Sequence, residues 1–319
     1  MSVDSLFKDA HTKTILAPMA GYTDFAFREI CHDYGVGLTV TEMVSSKALV
    51  MNSELSRKML FRLKGDSPAF CQIFGHEPDV MADSVQIDEI KQYDGVDINM
   101  GCPVRKIVSN GDGSALLENP SLASKCIYSV KNALGDKLLS VKFRLGVSDS
   151  LGVVDFAKMC KDSGADFITV HFRTRRQMYS GVADFSLLED IAQTGIPVFA
   201  NGDITTRQQY LELLNRGAYG VAVGRGAVGR PYIFAQLADR PYGMDVYNTI
   251  ERHAAELSKV FVDRIVCNEL KKHVAFYLKG KRNAKNVIVS CNSAKTTKQI
   301  LNTVADYFKD NPQFAQIVG

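Results

Sequence analysis

Short runs of Val, Ile, Leu and Phe, each closed by Gly, Pro, Asn or Asp, recur through the first 226 residues. Runs of this length and ending read as strands. They fall at 14–20, 38–43, 69–75, 95–102, 139–146, 167–173, 197–203 and 219–226. Between them apolar residues return every three or four positions, the period of an amphipathic helix. The stretches 78–91 and 120–134 each open on a proline suited to a first helical turn, and Thr205 leads into a helix over 206–215 that Gly217 stops. Eight βα units in about 240 residues predict an α/β fold of the (β/α)8 TIM-barrel class rather than an open doubly wound sheet. Beyond residue 240 the strand pattern ends, and Val260, Phe261, Ile265, Val274 and Leu278 stand at helical spacing. The expected domains are a barrel over 1–240 and a small helical domain over 241–319.

In such a barrel chemistry belongs at the C-terminal ends of the strands. Those ends carry Pro18, Met19 and Ala20; Glu42; Gln72; Asn99 with Cys102; Lys142 with Arg144; His171 with Arg173; Asn201 with Asp203; and Arg225. Any one of these reads equally well as a satisfied or solvated side chain. Eight aligned ends predict a site. Strands seven and eight lead into Gly202-Asp203 and Gly224-Arg225-Gly226, where barrels often hold a phosphate, so a phosphorylated cofactor or substrate is expected. Gly224, Gly226 and Gly229 also spell a dinucleotide-binding turn. The following Pro241-Tyr242-Gly243 and helical tail replace the second strand and acidic residue that such a turn requires.

The stretch DINMGCPVRK, 97–106, sets Cys102 between Gly101 and Pro103 just after the apolar run Gly95–Met100. A free cysteine is commonly a small buried hydrophobe. Here Asn99 offers an amide and Arg105 with Lys106 bring positive charge to the same loop, which favours a reactive thiol.

Composition narrows the context. Seven cysteines, with no C-x-x-C pair and no His/Cys group at metal spacing, argue against a disulfide framework and a zinc site, so no metal is expected. The start, MSVDSLFKDAHTK, lacks the basic-then-apolar order of a signal peptide, and no apolar run reaches membrane length; a cytoplasmic protein is expected. The net charge of +3 is unevenly placed. Residues 1–240 hold 26 basic and 28 acidic side chains, residues 241–319 hold 12 and 7. Between 271 and 298 stand Lys271, Lys272, Lys279, Lys281, Arg282, Lys285, Lys295 and Lys298 with no acid, and Phe276 and Tyr277 lie among them. A solvated helix face is the plain reading of such a run; its single sign and its breadth favour RNA.

Six ordered motifs then carry a resemblance: LAPMAGYTD at 16–24, DINMGCPVRK with GDGSALL at 111–117, VKFRLG at 141–146, HFRTR at 171–175, ANGDI at 200–204 and VGRGAVGRP at 223–231. Across about residues 14–240 the chain resembles the tRNA-dihydrouridine synthases, most closely their bacterial B-type branch. The resemblance implies an FMN-dependent oxidoreductase that reduces the C5–C6 double bond of particular uridines in tRNA, with NADPH or NADH reducing the flavin. It implies that Cys102 is the acid that protonates the uracil. Pro18, Met19 and Ala20 would lie along the flavin ring, Gln72 would make a polar contact to it, and Lys142 and His171 would stand beside it. Asn201, Gly202, Asp203, Gly224 and Arg225 would hold the ribityl chain and phosphate. Asn99 would contact the target uracil, and Arg173 and Arg175 the flipped nucleotide. The tail, with Lys271, Lys272, Lys279, Lys281 and Arg282, would grip tRNA. Its Lys272-His273 and Tyr277-Leu278-Lys279-Gly280 follow the family, whereas the stretch after Gly280 departs from it.

A thiol of ordinary pKa, about 8.5, is mostly protonated near neutrality and suits an acid, provided Arg105 and Lys106 face away from the sulfur. No membrane or protein partner is implied, and a monomer is expected. Two other readings remain open from the residues: an FMN barrel oxidoreductase acting on a free pyrimidine or dihydroorotate-like substrate, and a non-catalytic tRNA-binding or folding protein.

Overall fold

The computed structural model describes residues 2–8, 10–66 and 68–319. Met1 and Asp9, part of the N-terminal stretch read above, and Ser67 lie outside the described residues. The strands are β1 (Thr14–Leu16), β2 (Leu38–Val40), β3 (Val44–Ser45), β4 (Ala69–Phe74), β5 (Gly95–Met100), β6 (Leu138–Arg144), β7 (Phe167–His171), β8 (Val198–Asn201) and β9 (Gly220–Val223). All pair in parallel, and β1 pairs both β2 and β9, which closes the sheet into a barrel. β2 and β3 both pair with β4, Thr39 opposite Ala69 and Val44 opposite Ile73, so they are two pieces of one stave and the barrel has eight positions. The single strand expected over 38–43 is interrupted because the Thr41 hydroxyl takes over part of the ladder. It accepts from the Gln72 N–H at 2.9 Å and donates to the Glu42 carbonyl at 2.8 Å.

Inward-facing residues come in layers. At the N-terminal end Phe70 meets Phe167 across the barrel and Phe167 meets Phe199 on the next strand, with centroids 5.6 Å and 5.2 Å apart, and Phe7 plugs the opening 5.3 Å from Phe199. Two glycines make room for these rings. A Cβ on Gly95 would lie 2.4 Å from the Phe70 ring, and one on Gly220 would lie 2.2 Å from the Lys13 carbonyl oxygen. One layer higher the interior turns polar, with Gln72, Asp97 and Ser140 all buried. An outer apolar shell, including Ile73, Val96, Val141 and Val170, joins the strands to the helices.

The helix Pro120–Leu134 matches its expected limits, capped by Asn119, whose Oδ1 accepts from Leu122 N–H, and stopped by Gly135 at φ +61. Thr206 is the cap of Arg207–Asn215. The helix expected over 78–91 is two helices, Pro78–Ser84 and Asp88–Lys91. The Ser84 hydroxyl donates to the Met81 carbonyl at 2.8 Å, and the N–H groups of Gln86 and Ile87 turn back only three residues, so the α-helix tightens and ends.

The tail folds as four helices, Val246–Leu257, Asp263–Tyr277, Ala284–Ser293 and Thr297–Asp310. Ile250, Leu257, Val266, Leu270, Val274, Ile300 and Val304 form its core, to which the barrel contributes Phe25, Ala26 and Tyr232. The sequence pattern shows helices alone there, but β10 (Gly243–Asp245) and β11 (Gln316–Val318) pair as an antiparallel ribbon. The helix Asp263–Tyr277 rests on loops at the C-terminal face of the barrel. Phe276 lies 5.6 Å from the Tyr22 ring, and a Cβ on Gly229 would be 2.6 Å from its backbone. Among the described residues no helix is long and apolar enough to cross a membrane.

Candidate active site

Cys102 follows β5 on a loop whose shape Asn99 dictates. The Asn99 carbonyl accepts from the Gly101 and Cys102 N–H groups at 3.1 and 2.9 Å, while its amide donates to Gln72 Oε1 at 2.9 Å and meets Met43 Sδ at 3.6 Å. From the other side Ser114 gives both its N–H and its hydroxyl to the Cys102 carbonyl. The thiol is half-buried, and burial raises its pKa against the opposing pull of the Val104 N–H, Arg144 and Lys142. Arg105 and Lys106 are exposed on the short helix Arg105–Val108 and are not among the groups acting on the sulfur.

Behind this loop a buried polar relay crosses three strands. Gln72 Nε2 donates to Asp97 Oδ2 at 2.6 Å and the Ser140 hydroxyl donates to Oδ1 at 2.5 Å. Burial lifts the Asp97 carboxyl to about 6, and burial together with the Arg144 charge lowers the Lys142 ammonium to about 8. Lys142 lies opposite Asn99 in the β5–β6 register. Arg144 is buried and donates to the carbonyls of Gly101, Thr174 and Met178 at 2.8, 3.2 and 2.8 Å, which fixes the Cys102 loop to the loop after β7.

At the ends of β7, β8 and β9 a second arginine does similar work. Arg173, 2% exposed, donates to the Ser180 and Gly181 carbonyls at 3.1 and 2.8 Å and to Asp203 Oδ2 at 2.5 Å. Its Nη1 lies 3.4 Å from His171 Nε2; a guanidinium can only donate, so Nε2 accepts and the ring proton sits on Nδ1. Burial first, then the charges of Lys142, Arg144, Arg173 and Arg225, hold His171 far below its usual pKa, so it is neutral. Asp203, at φ +51, also accepts from Arg225 at 3.2 Å; burial alone would raise its pKa, but Arg173, the Ala183 N–H and Arg225 outweigh it and lower it. Asn201 donates to the Ala222 carbonyl at 2.7 Å, and Gly202 leaves only 2.7 Å between a Cβ and that of Ala183. Gly224 faces Met19, whose Sδ lies 3.4 Å from the position of a Cβ.

Two features were not legible beforehand, and one expected strand-end residue, Glu42, lies in a setting its position did not predict. Tyr179, exposed on the loop after β7, carries the guanidinium groups of Arg225 and Arg144 5.1 and 5.5 Å from its ring centre. Glu42, which accepts from Gly21 N–H, is pushed up to about 7 by burial. Asp24, His253 and His273, all buried, converge where barrel meets tail: His253 Nε2 is 3.1 Å from each Asp24 oxygen and His273 Nε2 is 3.3 Å from Oδ2. Burial alone would raise the Asp24 carboxyl, but the two imidazoles outweigh it and hold it well below its usual range. The ligand types suit a metal, yet neither Nδ1 has the hydrogen-bond partner that metal-binding imidazoles usually keep.

The remaining predicted residues divide. Pro18, Met19 and Ala20 form the loop after β1, held by the Met19 N–H on Thr23 Oγ1 at 3.0 Å. Arg175 donates to Glu118 at 2.6 Å and to the Ser114 carbonyl at 3.4 Å. In the tail Lys272 pairs with Glu269 at 2.6 Å and stands over Gly21, while Lys281 bonds the Phe314 carbonyl at 3.0 Å. Lys279, Arg282, Lys285, Lys295 and Lys298 are exposed and Lys271 is half-buried. Tyr277 is buried and Phe276 sits in the seam with the barrel.

The sequence model of the dihydrouridine synthase family (Dus) matches residues 15–311. A probable tRNA-dihydrouridine synthase of Rickettsia conorii is 33% identical over 308 residues, covering 92% of this chain and 92% of that protein. A tRNA-dihydrouridine synthase B of Pseudomonas aeruginosa is 33% identical over 313 residues, covering 93% of each. Among solved structures, an old yellow enzyme homologue from Zymomonas mobilis aligns with TM-score 0.51 at 14% identity over 69% of this chain and 86% of that one, a likeness of fold.

Proposed function

The chain belongs to the dihydrouridine synthase family, and from that premise we propose that it reduces the C5–C6 double bond of uridines in tRNA, with FMN as cofactor and NADPH or NADH as the source of hydride. The observation that carries this reading is Cys102: a half-buried thiol that burial keeps protonated, at a strand end of the barrel, with Lys142 and Arg144 acting on it.

The ends of β8 and β9 fit a flavin phosphate. Arg225 retains guanidinium N–H groups beyond its bond to Asp203, beside Gly202, Gly224 and the Asn201 backbone. Pro18, Met19 and Ala20 would lie along the isoalloxazine ring, with Lys142 and His171 near its polar edge. FMN, when bound, supplies the hydride delivered to C6 of the uracil. Cys102 supplies the proton: the Sγ–H bond breaks as the C5–H bond forms, and the thiolate left behind is stabilised by Lys142 and Arg144. Lys142 favours negative charge beside it, and neutral His171 offers its Nδ1–H as a donor.

Gln72 and Asn99 act by holding the Cys102 loop, since their polar atoms are already engaged. Arg173 and Arg175 are likewise positioning residues, one for the loop after β7 and one for the Ser114 support of Cys102. Residues 241–319 form the tRNA-gripping domain, with Lys271, Lys279, Arg282, Lys285, Lys295 and Lys298 available to phosphates. We read the protein as a cytoplasmic monomer.

The test is dihydrouridine content in unmodified tRNA incubated with the purified protein, FMN and NADPH. Wild type should form product and Cys102→Ala should lose it by at least about 100-fold, the scale of general-acid catalysis. A flavin-loaded wild type that NADPH reduces but that leaves tRNA unchanged would refute the reading.

A further inference from the structure

Just beyond β4, outside the groups assigned so far, His76 and Asp112 form a pair. His76 Nδ1 and Asp112 Oδ1 are 2.8 Å apart. The Asp112 side chain is 12% exposed, whereas the His76 side chain is 38% exposed. A carboxylate accepts only, so the pair fixes the ring proton on Nδ1 and leaves Nε2 as an acceptor in the neutral ring. A Cβ on Gly111 would lie 3.5, 3.6 and 3.7 Å from Cγ, Nδ1 and Cδ2, so the Gly111 backbone packs against the ring while more than a third of the side chain stays open to solvent. Among the described residues Nε2 has no hydrogen-bond partner.

The same short loop touches the catalytic segment. A Cβ on Gly113 would stand 3.0 Å from the Cys102 carbonyl oxygen and 3.1 Å from its Cβ, and Ser114 bonds that carbonyl. Residues 111–113 therefore lie between His76 and Cys102, which puts His76 one loop away from that thiol. The charges around it are mixed: Glu77 and Asp112 are negative, and Lys47 neutralises Glu77 at 2.9 Å. That setting suits a neutral hydroxyl donor better than a phosphate.

We infer that the His76–Asp112 pair is a binding site for a ribose 2′-hydroxyl of the RNA strand next to the target nucleotide, with Nε2 accepting the hydroxyl proton. The inference rests on the tRNA reading above and adds a contact that distinguishes RNA from DNA. The contact aligns the strand and takes no part in hydride or proton transfer.

The experiment uses tRNA transcripts with single 2′-deoxy substitutions at positions flanking the target uridine, measured both by filter binding and by dihydrouridine formation. His76→Ala should weaken binding and raise KM about 3- to 10-fold, the worth of one hydrogen bond, with kcat changed less than about twofold. One deoxy position should cost wild type a similar factor and cost His76→Ala nothing further. Asp112→Asn, which keeps the side-chain shape but removes the anion that fixes the ring proton, should show part of the same loss. Equal penalties for wild type and His76→Ala at every deoxy position would overturn the inference, as would a loss confined to kcat. If wild type binds the transcripts with this pattern yet forms no dihydrouridine, the reduction reading fails and the ribose contact stands; if it binds no tRNA, both fail.

Discussion

Replacing Asp24 by Asn tests the seam between barrel and tail. Asp24 does three jobs: it accepts from His253 Nε2 at 3.1 Å, faces His273 Nε2 at 3.3 Å, and caps the helix Phe25–Asp33 by accepting from Phe27 N–H at 2.9 Å. Asparagine caps as well as aspartate, so the third job survives. What is lost is a charge-assisted hydrogen bond, about 1.5–3 kcal/mol, partly offset because an amide costs less to bury than a carboxylate. A net loss of about 2 kcal/mol follows, or roughly 3 °C in Tm for a chain of this size. Asp24→Ala should lose about 1 kcal/mol more, because the cap goes too. Asp33→Asn is the control, since it removes only a surface partner of Arg252 and should shift Tm by about 1 °C or less. Thermal unfolding followed by circular dichroism at pH 7.5 reads all three. An Asp24→Asn Tm within 1 °C of wild type would refute the reasoning, because the convergence of the two imidazoles on the carboxylate would then contribute nothing.

Two further outcomes are expected. Burial, aided by the charges of His253 and Lys272 and opposed by Asp24, lowers His273 to about 4; the unfolded chain, with a value near 6.5, takes up more protons in between, so stability is full above about pH 6.5 and falls as the pH drops toward 4. His273→Gln should therefore flatten the Tm-against-pH curve in that window, and parallel curves would count against it. In the tail, changing exposed Lys279, Lys285 and Lys298 to Gln should reduce the slope of log Kd for tRNA against log salt by about 0.7–0.9 for each phosphate contact removed; an unchanged slope would place the RNA elsewhere.

The barrel was legible because each stave is a β-branched or aromatic run that stops at a turn residue, and a closed parallel sheet buries such runs on both faces. Cys102, Lys142 and His171 were legible for the same reason: they stand at or just past the ends of β5, β6 and β7. What failed was whatever depends on distant pairing. Asp24 and His253 are 229 residues apart, and His76 and Asp112 are 36 apart; no local pattern links them. The strands of the β10–β11 ribbon have three residues each, too few for alternation to show. The basic run after residue 270 read as RNA-facing with Phe276 and Tyr277 among its lysines, but helical periodicity turns Tyr277 into the core, and Lys272 meets Glu269 one turn back. Tyr179 left no pattern beyond being an aromatic in a polar loop.

The seating of the helix Asp263–Tyr277 on the loops after β1 and β9 bears on how the molecule is made. Residues 14–223 complete the barrel strands and emerge from the ribosome first. Phe276, which backs Gly229 and Tyr22, emerges later, and the β11 strand that ties the tail to β10 later still. A nascent barrel thus presents its β1 and β9 loops without their backing, and those loops acquire their final shape only after synthesis has passed the tail. Completion of the barrel's C-terminal face is then a late event in the life of the polypeptide, timed by the folding of a segment that follows the barrel in the chain.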